Sequence, residues 1–318
     1  MFYSAQISTA STGLLRVNLT TSVGFFPVKG ARITISTTGS GGTNVIDELT
    51  TDANGQTEII DLAAPDLGLS LEPNMEQPYS EYTVTVNAEG YEPVVAGTQI
   101  LPTRAAIQPI SLTSLGNGSN AIRSTELPTP PTGRSIVIGP HTLYGEYPPK
   151  IPESEVKSVD ETGAIVLSSV VIPEFVIVHD GPPNDTSASN YYVRYADYIK
   201  NVASSEIYAT WPTATIQANI LAIASVCLNR VFTEWYAGKG HNFTITSSTA
   251  FDQKFIYGRN IYDNISKEVD GVFGPQTQRS VIIFQEIFDL NPDGIVGRET
   301  WYSISNIYVA VSRLAELS

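Results

Sequence analysis

The stretch YIKNVASSEIYATWPTATIQANILAIASVCLNR, Tyr198 to Arg230, decides how the chain is divided. Its polar residues Ser204-Ser205-Glu206 read as a short turn that carries one carboxylate, and after Trp211-Pro212 no charge occurs until Arg230. Pro212 suits the first turn of a helix, where its missing N–H would have no intrahelical partner anyway. From Thr215 onward Ile216, Ile220, Ile223, Ala224, Cys227 and Leu228 recur at i, i+3 and i+4, which predicts a helix with one buried stripe. Glu206 therefore stands just ahead of a core helix. Beside Tyr208 and Trp211 a partly desolvated carboxyl is a candidate proton donor. A Glu that only favours the dipole at a helix start is the competing reading.

Upstream, the pattern is of a different kind. Between Gly13 and Leu112 the runs LLRVNLTT, ARITIST, QTEIIDL, YTVTVNAE and IQPISLT are β-branched and alternate, with turns at Pro27, Gly41-Gly42, Asp52 to Gly55 and Glu89-Gly90-Tyr91. Short strands at this spacing imply a sandwich. Residues 116–162 are rich in proline, suit an extended linker with a docked strand at Ser135–Gly139, and place Arg123 and Arg134 where proteolysis is easiest. Ala164 to Gly181 is strongly β-forming and enters the next domain as a strand pair. Its closing His179-Asp180 reads either as a general base with its orienting partner or as a strand-end structural pair, and the second is favoured because neighbours on a strand point to opposite faces.

At 318 residues, with 42% hydrophobic and 16% charged, the chain has core material for two or three units. A net charge of -14 argues against a duplex nucleic-acid partner, whose binding depends on Lys and Arg neutralising phosphates, and against anionic membrane surfaces. The single cysteine, Cys227, excludes an internal disulfide and reads as a buried structural thiol. His141, His179 and His241 are scattered without metal-ligand spacing, so no metal and no cofactor is expected. The N-terminus MFYSAQISTASTGLL lacks the basic and apolar regions of a signal peptide, and no stretch reads as long enough to span a bilayer.

Three motif sets carry resemblances. VKGARITI, TTDANGQTEI and YTVTVNAEGYEPV resemble the transthyretin-like or carboxypeptidase regulatory-like sandwich, a non-catalytic module. Y-I-K-N-V-A-S-S-E-I-Y-A-T-W-P followed by I-Q-A-N-I-L-A is similar to the signature of the stage II sporulation protein D (SpoIID) and LytB family of peptidoglycan lytic transglycosylases and amidase enhancers. Asn242 to Arg259 looks like that family's next block. Val269 to Trp301 resembles the type 1 peptidoglycan-binding module, with two D-G-x-x-G turns around an F-Q helix and a mini-core of Val281, Phe284, Leu290 and Trp301.

Together these imply a multidomain α+β chain: a β-sandwich pro-domain at 1–115, a Pro-rich linker at 116–162, a SpoIID-like catalytic domain at 163–267 and a small helical peptidoglycan-binding module at 268–318. The order of parts resembles the spore cortex-lytic enzymes of anaerobic spore formers. That resemblance implies a zymogen activated by a subtilisin-like protease, located at the spore cortex and coat boundary, that degrades cortex peptidoglycan during germination. It implies Glu206 as the catalytic acid and then base, with Tyr208, Trp211, Gln217 and Gln253 binding substrate. The mechanism this resemblance implies needs one carboxylate, because in a lytic transglycosylase the C6 hydroxyl of muramic acid is the nucleophile and a 1,6-anhydro product forms. The family's long second half is missing, and the binding module lacks its usual opening helix; both absences meet near Glu268. A non-catalytic wall-binding protein and an amidase that cuts between muramic acid and peptide remain the alternatives.

Overall fold

The computed structural model describes residues 11–23, 25–39, 42–71, 77–115, 134–143, 147, 172–272, 282–292, 300 and 303. The chain is mixed α+β, with several sheets and few helices, and forms two compact units. Unit 1 comprises Met1–Leu143, Ser204–Pro212 and Ile256–Ser266, and unit 2 comprises Tyr144–Ala203, Thr213–Phe255 and Lys267–Ser318.

Unit 1 holds two sheets. One has the order β12-β7-β1-β4, built from β1 (Ser11–Thr21), β4 (Ile60–Ala64), β7 (Ala105–Leu112) and the distant β12 (Ile261–Tyr262). The other runs β3-β2-β5-β6-β8, from β2 (Arg32–Gly39), β3 (Gly42–Thr50), β5 (Ser80–Asn87), β6 (Val94–Ile100) and β8 (Arg134–Ile136). Alternation supplies the core: Leu15, Val17 and Leu19 of β1 and Ile33, Ile35, Val84 and Val86 of the second sheet are all fully buried. The D-x-x-G hairpin forms as its sequence requires. Asp52 Oδ1 accepts from the N–H groups of Asn54 (2.8 Å) and Gln56 (2.9 Å), which holds its carboxyl below the usual range. Gly55 has φ 71°, and a Cβ there would meet Leu19 O at 2.3 Å.

Two strands come from outside the expected sandwich. β8 lies parallel to β6, with Val94 opposite Arg134 and Ala96 opposite Ile136, so Arg134 is part of a strand rather than of exposed chain. It also stacks over the Tyr257 ring at 4.6 Å. β12 pairs antiparallel with β7 through Ile261 opposite Ile107 and Tyr262 opposite Ala106. Pro109 of β7 lies past the end of this short partner, where no ladder donor is needed on that side.

In unit 2, β9 (Phe175–His179) is flanked by antiparallel β10 (Asn190–Arg194) and parallel β11 (Ile245–Thr246). Ala164 to Val171, the expected first half of the β9 strand pair, lies outside the described residues. Two helices follow, α1 (Tyr195–Glu206) and α2 (Thr213–Phe232). α2 begins directly after Pro212 and buries Ile216, Ile220, Ile223, Ala224 and Cys227, while Leu228 is only half-buried. Burial pushes the Cys227 thiol up, so it is a packed, unreactive side chain.

α2 has 20 residues and a mean hydropathy of 1.3 in its most apolar window, long and apolar enough to cross a membrane by length and composition. The expectation that no stretch is long enough is corrected to that extent. One face is packed, with the Tyr195 hydroxyl donating to Ala224 O (3.3 Å) and the Gln253 amide to Ile223 O (3.1 Å), while 28% of its apolar window is buried.

Asp252 is the polar centre of unit 2. Its fully buried carboxylate accepts from Tyr236 Oη (2.5 Å), Thr246 Oγ1 (2.6 Å), Thr246 N (3.0 Å) and Arg230 Nε (2.7 Å). Arg230 in turn stacks over Trp235 at 4.4 Å. Asp252→Asn strands the Arg230 charge and turns one acceptor into a donor. The expected loss is about 3–5 kcal/mol, read as a lowered denaturant midpoint for unit 2 by Trp235 fluorescence.

Candidate functional site

The segment that carries Glu206 is set differently from its expected turn. Tyr195, Tyr198, Ile199, Val202 and Ala203 are spaced as one helix face and are all buried, and the helix they drive runs on through Ser204 and Ser205 to end at Glu206. Glu206 therefore closes one helix instead of introducing the next. A carboxylate at a helix C-terminus faces the negative end of the macrodipole, so the dipole-favouring reading does not apply. Every residue from Asn201 to Thr210 is buried, and Glu206 keeps 7% of its surface.

Within unit 1 the two-sheet body supplies this segment's surroundings. The Trp211 indole N–H donates to Ser70 O at 2.9 Å, in the 3-10 turn Leu67–Ser70. Tyr208 meets Trp211 edge-on at 5.7 Å and tilts against the His141 ring at 5.1 Å. Tyr79 and Tyr262 complete the ring of aromatics around His141, at 5.2 and 6.2 Å. Thr142 N donates to Ser205 O at 3.0 Å.

At the centre of this packing lies Arg259, 1% exposed. Nε donates to Ser204 O (2.6 Å), Nη2 to Gln99 Oε1 (2.9 Å) and Nη1 to Gly139 O (3.4 Å). Nη2 also lies 2.9 Å from His141 Nε2. Asn260 clamps the same strand, accepting from Gln99 N (3.1 Å) and donating to Gln99 O (3.0 Å). Gly258, at φ 76°, lets the chain pass: a Cβ there would meet Ile136 at 2.7 Å. Desolvation moves each titrating group toward its neutral form. It pulls Arg259 down to about 10, raises Tyr262 to about 12 and raises Tyr79. Desolvation first, and the Arg259 charge second, hold His141 well below 6.5.

A pH effect follows. The unfolded chain protonates His141 more readily than the folded one, so this stability is complete above pH 6.5 and is lost as the pH falls below 6.5 toward the folded-state value. Arg259, Tyr79, Tyr208 and Tyr262 face the ring, and none offers the imidazolium an anionic partner in this range. His141→Gln should flatten the decline of melting temperature as the pH is lowered from 6.5.

The five residues expected at the site fall into two groups. Glu206, Tyr208 and Trp211 lie together in unit 1, and Gln217 and Gln253 belong to unit 2. Gln253 is buried with both ends of its amide engaged, donating to Ile223 O (3.1 Å) and accepting from Tyr198 Oη (3.0 Å). Gln217 is exposed and donates to Glu268 Oε2 at 2.7 Å. Sequence reasoning missed Arg259, His141 and Gln99, which come from three distant segments and share no spacing. His179 is tied to Asn190 Oδ1 (2.8 Å) and Pro182 O (3.1 Å) and stacks on Phe243 at 4.4 Å, the structural role its position suggests.

The C-terminal motif region shows one internal lock: Gln285 Nε2 donates to Thr300 Oγ1 at 3.0 Å, joining the F-Q helix to the second D-G-x-x-G-x-x-T element. Phe284 packs on Phe288 at 4.5 Å. Val281 and Trp301 of the expected mini-core lie outside the described residues. Asp270-Gly271 is not a turn; both residues belong to α3 (Asp263–Val272), where Asp270 pairs with Lys200 at 2.8 Å.

Residues 257–304 match the family model of the peptidoglycan binding domain. The match takes in α3, so a helix stands where the sequence reading finds the module's opening helix missing. This domain associates the chain with the cell wall. No curated protein matches the chain. Solved structures similar to parts of it include the TIE protein of Bacillus anthracis, with 15% identity, 33% of this chain, 17% of that chain and a TM-score of 0.24. Others are a 3-chlorocatechol 1,2-dioxygenase of Rhodococcus opacus 1CP (10%, 35%, 62%, 0.25) and the minor pilin GBS52 of Streptococcus agalactiae (13%, 38%, 49%, 0.25). The chain spans between 17% and 62% of the length of these three, and at such scores the likeness carries no argument.

Proposed function

We propose that this chain is a peptidoglycan lytic transglycosylase of the bacterial spore cortex, with Glu206 as its single acid and base. The observation that carries the reading is the peptidoglycan-binding match at 257–304, which names the polymer. The SpoIID-like motif around Glu206 supplies the reaction. Glu206 protonates the glycosidic oxygen between muramic acid and glucosamine, then accepts the proton of the muramic C6 hydroxyl as it closes on C1, and returns to its starting state. Placement of Tyr208 and Trp211 beside Glu206 in one unit supports this arrangement. The test is digestion of purified cortex by the pure protein, intact and after cleavage between residues 116 and 133, with mass spectrometry read for 1,6-anhydro ends and for free stem peptides, the amidase product. Neither product, with the protein retained on insoluble wall, selects a non-catalytic wall-binding protein.

The 7% exposure of Glu206 favours a precursor state. In that reading the N-terminal sandwich, of transthyretin-like type, is a pro-domain, and a subtilisin-like protease opens the chain at germination.

A further inference from the structure

We infer that Arg259 is the positioning residue for Glu206, fastened in turn by Gln99 and His141, so that the two-sheet body, which stays bound when the segment 116–133 is cut, holds the end of the helix that carries the acid. The inference rests on the proposed role of Glu206 as acid. Its basis is the end of α1. The last carbonyls of a helix have no intrahelical donors, and a helix that ends in a catalytic side chain needs those carbonyls fixed from outside. Here two consecutive ones are fixed: Ser204 O by Arg259 Nε at 2.6 Å and Ser205 O by Thr142 N at 3.0 Å. The backbone of Glu206 follows directly from both.

The choice of cation is as informative as the contact. A carboxylate at the C-terminal end of α1 is opposed by the helix dipole, and a guanidinium on the Ser204 carbonyl offsets that field. Among the described residues its bonded partners are neutral: Ser204 O, Gly139 O, Gln99 Oε1, the His141 ring and the Tyr262 side chain. A buried arginine meant only for stability would ordinarily be paired with a carboxylate. This one is held by dipoles, which fix its orientation and leave its charge directed at the helix end. The fork geometry matters too, since a lysine's single nitrogen does not reproduce the fixed placement of Nε on Ser204 O and Nη2 on Gln99 Oε1.

The experiment compares wild type, Arg259→Lys, Arg259→Met and Gln99→Met of the full chain, each assayed after cleavage between residues 116 and 133. Rates of anhydro-muropeptide release give kcat and KM, and hydrogen exchange is followed at the amides of residues 205–209. The expected result is a kcat at least about 10-fold lower in Arg259→Lys and about 100-fold lower in Arg259→Met, with KM unchanged. Gln99→Met, which keeps the cation and loses one fastening, should lower kcat several-fold. A purely structural arginine would lower the melting temperature without splitting kcat from KM in the folded variants. Unchanged exchange at 205–209 in folded Arg259→Met overturns the inference whatever the activity. Faster exchange with full kcat overturns its catalytic part. If Arg259→Met does not fold, Gln99→Met decides by the same two readouts. A wild type that releases no anhydro product even after the cut overturns the proposed reaction, and the exchange data then decide the positioning contact on their own.

Discussion

Glu206→Gln is expected to reduce the release of 1,6-anhydro muropeptides from cortex by about 10²–10⁴-fold, the usual contribution of a positioned acid and base. Gln keeps the size and hydrogen-bonding reach of Glu but cannot transfer the proton. The position is buried at the end of α1, so the isosteric replacement leaves Tyr208, Trp211 and the Arg259 contacts where they are. Retention on insoluble peptidoglycan should not change, because the matched binding domain begins at residue 257. Mass spectrometry of digests at equal bound protein separates the two quantities. A variant with the wild-type rate would remove Glu206 from the mechanism.

A second large effect concerns the proposed activation. A protease site introduced between residues 116 and 133 and cut to completion should yield two pieces that elute together in native gel filtration and separate only in denaturant. Sequence beyond the cut is woven into both sheets: β8 pairs with β6 and β12 with β7. Gln108 Nε2 donates to Gly258 O at 2.7 Å, Gln99 is clamped by Arg259 and Asn260, and Trp211 is bonded to Ser70. By contrast, a chain started at residue 134 loses every one of these partners, and residues 256–266 should show no protection from hydrogen exchange. An early piece that elutes alone after the cut would mean that these contacts do not hold. Activation by one cut in that segment would therefore give a nicked protein, and release of the N-terminal strands would need a further step.

Much of the fold was legible where burial imposes a period. β1, β2, β5, β7 and α2 announce themselves through alternation or through an i, i+3, i+4 stripe. β3 was not legible because it is an outlying strand, exposed along most of its length, and so has no face to pattern. β12 has two residues and is defined only by its partner. The turn assigned to Ser204-Ser205-Glu206 was wrong because local polarity suggested a break, whereas the helix continues by burying both serines against distant groups. Glu206 could be picked out from its motif. Arg259 could not: a single arginine after a glycine carries no signal until Ser204, Gln99 and His141 are seen to meet it.

The join between Gln99 and Asn260 spans 161 residues of chain. At a synthesis rate of about 5–20 residues per second, β7 emerges about 8–30 s before β12, the strand that pairs with it on its outer side. Throughout that interval β7 presents an open edge, the kind of surface that recruits a wrong partner. Production of this protein in a foreign host should therefore be limited by what happens on the ribosome, and slower growth temperatures or a holding chaperone should raise the soluble yield more than any change to the finished core.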